Sequence, residues 1–210
     1  MESVAHVWSG EMQLKIMLDC SPKKISDYDA RYGEDFWQLR TPLTGYNLSG
    51  KPFGLDNGCF AEFKEKKWLS LLVEARETPP IFCCMPDVVG DAFRTLELFD
   101  IFKHKAKGLP LALVLQDGIG SCRIPWDEIS AVFIGGTDKF KCSPEAFAAA
   151  RAARMLGKWV HVGRVNTASR LRGWVDYGDS LDGSGISKFD ANLVDVLGAI
   201  KSNQTQEKLF

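Results

Sequence analysis

Residues 179–189 read DSLDGSGISKF, placing Asp179 and Asp182 three apart on the lip of a glycine-rich turn. Asp and Gly favour bends for conformational reasons alone. Three further aspartates, however, stand in comparable places: Asp56 in GLDNGCF, Asp87 in MPDVVGD and Asp117 in LQDGI. Taken singly, each reads as a turn or cap residue. Gathered at one rim, two or three of them would face each other, and mutual repulsion would raise at least one pKa. One protonated and one ionised carboxylate are the equipment for acid-assisted displacement at a sugar carbon. Gly183, Ser184 and Gly185 offer backbone N–H groups for a phosphate, with Lys188 close by in sequence. That combination points to a nucleotide or nucleic-acid substrate attacked at its glycosidic bond.

Other chemistries lack their residues. The six cysteines (Cys20, Cys59, Cys83, Cys84, Cys122, Cys142) form no CxxC pair, and the three histidines are scattered, so no metal site is expected. No P-loop, GxGxxG fingerprint or GxSxG elbow occurs. The Asp-x-x-Asp-x-x-Asp-Gly run at 176–183 has the wrong spacing for an EF-hand loop.

The elements that must position these aspartates alternate in type. Apolar runs at 14–19, 53–56, 81–87, 111–118, 131–136, 159–164 and 179–182 read as buried parallel strands. Amphipathic stretches at about 61–77, 91–106, 143–157, 167–176 and 189–201 read as helices. Ser143-Pro144-Glu145 is a hydroxyl N-cap followed by proline at the first helical position. Nearly every strand ends in a polar cluster, as a TIM barrel requires, whereas an open sheet concentrates its ligand at one switch point. The expected fold is therefore α/β: a compact TIM-like (β/α)8 barrel over residues 1–201. An irregular insertion at about 21–52 supplies a helix and a loop over the mouth. The eighth strand comes from residues 5–9 or 38–48, and 202–210 form a polar, frayed tail.

Of the 210 residues, 45% are hydrophobic and 25% charged, the mix of a globular protein. A net charge of -1 argues against non-specific coating of nucleic acid, though not against a local basic groove. The start carries no basic region followed by an apolar stretch, and no run approaches a bilayer span. A reduced cytoplasmic protein is expected.

The order of the strand-end motifs over residues 53–189 resembles the tRNA-guanine transglycosylase superfamily. The likeness is nearest to its short phage and bacterial relatives, which put 7-deazaguanine bases into DNA. LDNGCF resembles the segment bearing the general acid/base, which implies Asp56, with Asn57 beside it in the pocket. MPDVVGD resembles the segment whose aspartate reads the guanine edge, implying Asp87. LVLQDG implies Gln116 as a base-reading glutamine, and FIGGT implies Gly135 and Gly136 as backbone donors to the guanine carbonyl. HVGRVNTASRL resembles the strand and helix before the nucleophile. DSLDGSG aligns with the nucleophile segment, implying Asp182, with Asp179 in support. Lys139, Lys141, Arg164, Arg170, Arg172 and Lys188 are candidates for phosphate contacts, Arg164 foremost because it ends a strand.

The chain departs from the tRNA enzymes in having no Cys or His beyond His161, so their zinc-binding subdomain has no ligands here. Cys59 also replaces a family glycine. The resemblance implies a pentosyltransferase without cofactor that exchanges guanine in DNA for a 7-deazaguanine base through a covalent aspartyl-sugar intermediate. Its partners would be DNA and the free base, without a membrane, and a phage-encoded protein would act in the bacterial cytoplasm to evade restriction. The same carboxylates fit two other readings, a hydrolytic nucleosidase or DNA glycosylase and a non-catalytic nucleic-acid-binding barrel.

Overall fold

The computed structural model describes residues 14–207. Eight strands form a closed barrel in chain order: β1 Lys15–Leu18, β2 Trp37–Arg40, β3 Phe53–Leu55, β4 Phe82–Cys84, β5 Leu111–Leu115, β6 Ala131–Ile134, β7 Trp159–Val162 and β8 Ser180–Asp182. Every neighbouring pair is parallel, and β8 closes on β1 with Met17 opposite Asp182. The helices are α1 Pro22–Tyr32, α2 Glu65–Glu77, α3 Ala92–Phe102, α4 Asp138–Lys141, α5 Pro144–Met155, α6 Ala168–Leu171, α7 Ser184–Lys188 and α8 Asp190–Glu207. The TIM-like architecture expected from the strand-end pattern is the observed one.

The seven strands read from apolar runs all form. The eighth is β2, at the edge of the 38–48 region; residues 5–9 lie outside the described residues. β2 hides behind a polar sequence, WQLR, yet all four residues are buried. Its polar groups are satisfied locally. Gln38 donates to the carbonyls of Cys20 and Asn47 and accepts from the Ser49 N–H, and Arg40 pairs with Glu74 at 2.7 Å. Buried polar groups are tolerated only with such partners.

Caps set the helix starts. Ser21 accepts from the Lys24 N–H with Pro22 following, and Ser143 accepts from the Ala146 N–H with Pro144 following. α1 stops at Gly33, whose φ of 67° is the left-handed turn glycine adopts without a Cβ clash. The expected helix over 167–176 shrinks to α6. The expected helix over 189–201 follows a separate short α7 and runs to Glu207, into the stretch read as a tail. No α-helix follows β2 or β5: residues 41–52 form a loop, and 116–130 carry two 3-10 turns at Ile119–Ser121 and Trp126–Glu128.

Successive strand residues alternate between two cores, as the pleat dictates. One set, including Leu18, Leu55, Leu113, Val132, Val160 and Leu181, packs outward against the helices. The other fills the barrel: Met17, Trp37, Leu39, Phe82, Cys84, Ala112, Val114, Ala131 and Phe133. On β7 and β8 the same alternation includes His161, Ser180 and Asp182 in place of aliphatic residues. The polar side of the barrel lies there.

Candidate active site

Asp182 is the last residue of β8, and its side chain is 13% exposed. One oxygen, Oδ1, sits 3.1 Å from His161 Nε2 and accepts from the Arg164 main-chain N–H at 3.2 Å. The other, Oδ2, has no hydrogen-bond partner among the described residues and is not sealed from solvent. Asp182 therefore presents one anchored and one open oxygen at the barrel mouth.

Asp56 follows β3 directly, and its N–H donates to the Arg40 carbonyl at 2.8 Å, which fixes the residue at the strand end. Burial pushes its carboxyl up to about 7, with the charges of Asp182 and Asp87 adding to the rise against the N–H bonds from Asn57 and Gly58. Asp19, just past β1, joins the group. Burial raises its pKa too, a Thr44 hydroxyl donates to it at 2.7 Å, and Asp182 and Lys188 act on it from nearby. Of the aspartates expected at one rim, Asp182 and Asp87 do come close enough to act on Asp56, and Asp19 at the end of β1 stands with them.

Asp87 is held from both sides. Asn57 Nδ2 donates to its Oδ1 at 2.7 Å, and Gln116 Nε2 to its Oδ2 at 2.6 Å. Asn57 also donates to the Met85 carbonyl and accepts from the Cys59 N–H. Gln116 Oε1 accepts from the Gly90 N–H at 2.8 Å. Burial nevertheless raises the Asp87 pKa above the usual carboxylate value. Each oxygen keeps a lone pair beyond the bond it accepts, so the group can still receive two donors from a ligand. Gln116 and Asn57 are thus orienters of Asp87, with Gln116 buried and both ends of its amide committed.

No family model matches the chain, and no curated protein matches it. The functional reading therefore rests on the geometry of the mouth and on the motif resemblance. Among the described residues, no group of three or more His, Cys, Asp or Glu side chains is arranged to hold a metal ion. No helix among them is long and apolar enough to cross a membrane.

Cations occupy the β6 and β7 side of the rim. Arg164 has a left-handed backbone, φ 61°, which no other non-glycine residue among those described adopts. That conformation aims its N–H at Asp182, while its guanidinium donates to the Gly136 carbonyl at 2.5 Å and lies 4.1 Å from the Phe60 ring centroid. Lys141 is buried against the Gly163 carbonyl, to which its ammonium donates. Burial pushes its pKa down to about 8, and the neighbouring Arg164 and Arg170 charges add to that while Asp182 opposes it.

Several expected site residues have other placements. The Gly135 N–H is spent on the Leu115 carbonyl in the β5–β6 ladder, so of the glycine pair expected to donate to a base, Gly135 does not. The Gly185 N–H donates to Asn166 Oδ1 at 2.7 Å, and a Cβ at Gly183 or Gly185 would collide with Asn166. Close packing of two loops explains those glycines, and at Gly185 the expected phosphate cradle is already filled. Ser184 and Lys188 stay exposed, Lys188 toward Asp19. Asp179 precedes β8 at the opposite end of the barrel, where it pairs with Arg154 at 2.7 Å and accepts from the Val160 N–H at 2.7 Å. It is far from supporting Asp182. Asp117 pins the β6 loop through the Thr137 N–H and hydroxyl, bonds that hold its carboxyl low against partial burial.

His161, Ser180, Asp19 and Lys141 carry more of the site than their sequence contexts announce. WVHV reads as an apolar strand; the available signal was a histidine in register with the inward-facing Gly163 and opposite Ser180.

Proposed function

We propose that the protein exchanges guanine in DNA for a 7-deazaguanine base at this mouth. Asp182 acts as the nucleophile and Asp56 as the acid/base. The observation that carries the reading is the pairing of an open Asp182 oxygen with a carboxyl whose pKa lies near 7. A group of that pKa can both give and take a proton near neutrality.

Oδ2 of Asp182 attacks C1′ of a flipped-out deoxyguanosine as the C1′–N9 bond breaks. The bonding pair passes to N9, which takes the proton from Asp56. Asp56, now ionised, removes a proton from N9 of the incoming deazaguanine. That nitrogen then attacks C1′ and releases Asp182, so two inversions give net retention. Asp87, kept in orientation by Asn57 and Gln116, receives the two N–H donors of the guanine amidine edge. Arg164, on the loop after β7, and Arg170, in α6, are the proposed phosphate contacts. Extruding the base costs a few kcal/mol and favours single-stranded or distorted substrate.

The deciding experiment incubates DNA with the protein and candidate free bases, then digests and quantifies nucleosides. Incorporation of a deazaguanine without abasic sites, abolished in Asp182→Ala, is the expected result. Guanine release with abasic sites and no incorporation would replace transfer by hydrolysis. Release or incorporation that survives Asp182→Ala overturns the nucleophile assignment.

A further inference from the structure

Inside the barrel, below the mouth, four side chains on β7 and β8 form a continuous polar column. Trp159 Nε1 donates to Ser180 Oγ at 2.8 Å, Ser180 Oγ lies 2.8 Å from His161 Nδ1, and His161 Nε2 lies 3.1 Å from Asp182 Oδ1. His161 and Ser180 are fully buried. The imidazole is gripped by aromatic rings, with the Phe82 centroid at 4.8 Å and the Phe133 centroid at 4.6 Å. Gly163 makes room for this arrangement, since a Cβ there would strike the Phe133 ring.

Hydrogen-bond accounting gives the column one direction. A carboxylate only accepts, so the bond to Asp182 requires a proton on His161 Nε2. In a neutral imidazole Nδ1 is then bare and must accept, and the Ser180 hydroxyl is the group that can donate to it. Trp159 donates into the same Ser180 oxygen, so each proton has one acceptor along the column. The opposite tautomer would set the Nε2 lone pair against the carboxylate. A doubly protonated ring would leave the Ser180 proton without an acceptor among the described residues, at full burial.

We infer that His161 is a positioning residue for Asp182, locked by Ser180 and Trp159 as the Nε2–H tautomer, so that Oδ1 is pinned and Oδ2 is the attacking oxygen. Together with the Arg164 N–H, two donors fall on one oxygen and none of the described residues hydrogen-bonds to the other. Such anchoring removes carboxylate rotation from the approach to C1′, an orientation effect that can be large when the reacting atoms are otherwise held. The assignment of Oδ2 as attacking atom rests on the proposed chemistry; the tautomer does not.

Two measurements separate those layers. Ring-nitrogen NMR of the full chain, labelled at histidine, reads the tautomer without any turnover. The Nε2–H form is expected in the wild type, and loss of its dominance in Ser180→Ala. A dominant Nδ1–H form, a doubly protonated ring at neutral pH, or a tautomer indifferent to Ser180→Ala overturns the column. For the second layer, His161→Phe keeps an aromatic ring between Phe82 and Phe133, and His161→Gln restores an N–H donor. With a guanine-containing oligonucleotide, the rate of covalent adduct formation is expected to fall about 10–100-fold in His161→Phe at unchanged KM, with partial recovery in His161→Gln. Equal rates in wild type and His161→Phe overturn the positioning role. Absence of any adduct in the wild type overturns the proposed function while leaving the tautomer result standing.

Discussion

The Asp56 carboxyl stands at the end of β3 with the Asp182 charge acting on it from the end of β8, and burial plus that charge move its pKa from 3.8 to about 7. Two strands, β1 and β2, separate β3 from β8 around the barrel wall, so chain segments far apart in sequence meet at the mouth. The closure of the barrel creates the interaction.

The shift makes a stability prediction. An acid whose folded pKa lies above its unfolded value binds its proton more tightly when native, so stability falls as pH rises through the interval between the two. For Asp56 that interval runs from 3.8 to about 7. Asp56→Asn removes the penalty and should stabilise the protein above pH 7 by up to about 4 kcal/mol, with little effect near pH 4. Asp19, Asp87 and Asp179, all raised by burial, keep a residual slope of the same sign. Urea unfolding at pH 4.5 and pH 8 measures the difference; a gain of equal size at both pH values contradicts the assignment.

Gln116 makes the second prediction. Its amide spans Asp87 and the Gly90 N–H, so Gln116→Glu keeps the shape but sets a carboxylate against Asp87 where 2.6 Å now holds a donor. One of the two acids must then carry a proton, and the acceptor pattern proposed to receive a guanine edge is lost. Guanine affinity should fall about 10–100-fold, the worth of a hydrogen bond to a charged group, with the fold retained. Titration calorimetry with free guanine checks this, and unchanged affinity would remove Asp87 and Gln116 from base recognition.

What the sequence made legible follows from where polarity had structural freedom. Strand ends must leave the apolar wall, so Asp56, Asp87 and Asp182 announce themselves as breaks in hydrophobic runs. β2 was legible only as one of two alternatives, because Gln38 and Arg40 are buried polar residues whose partners, Asn47 and Glu74, lie in segments that folding brings near. His161 and Ser180 escaped for the same reason: inside a strand, a polar residue paired with the neighbouring strand looks like an isolated exception. The glycines of 183–185 misled in the other direction. Their smallness serves the approach of Asn166, which no local pattern in GSG reveals.

Arg164 makes the third prediction, through its backbone. A left-handed conformation costs an L-residue with a Cβ about 1 kcal/mol relative to glycine. Arg164→Ala keeps that strain and loses the guanidinium contacts to Gly136 and Phe60, whereas Arg164→Gly loses the same contacts and relieves the strain. The Gly variant should therefore be more stable than the Ala variant by about 1 kcal/mol, while both lose activity. Thermal unfolding of the two reads the difference directly, and equal midpoints would mean that the backbone is not held in that conformation.

The two aspartates of DSLD separate most cleanly by paired substitution. Asp179 is buried at the amino end of β8, where Arg154 and the Val160 N–H consume both of its oxygens. Asp179→Asn replaces an acceptor-only group by one that must turn an NH2 toward either the guanidinium or the Val160 N–H. Because Arg154 is itself 39% exposed, water recovers part of the lost pairing, and the cost should be about 1–3 kcal/mol. The folded fraction keeps its mouth intact and its activity per folded molecule. Asp182→Asn acts oppositely. The amide oxygen can still accept from His161 and Arg164, so stability should change by less than about 1 kcal/mol, while the proposed nucleophilic attack should be lost. Unfolding midpoints and single-turnover rates for the two variants form a crossed pair: a stability loss with retained rate for Asp179→Asn, and a rate loss with retained stability for Asp182→Asn. If the rate loss falls on Asp179→Asn instead, the nucleophile lies at the other end of the strand and the site at the barrel mouth is wrongly assigned.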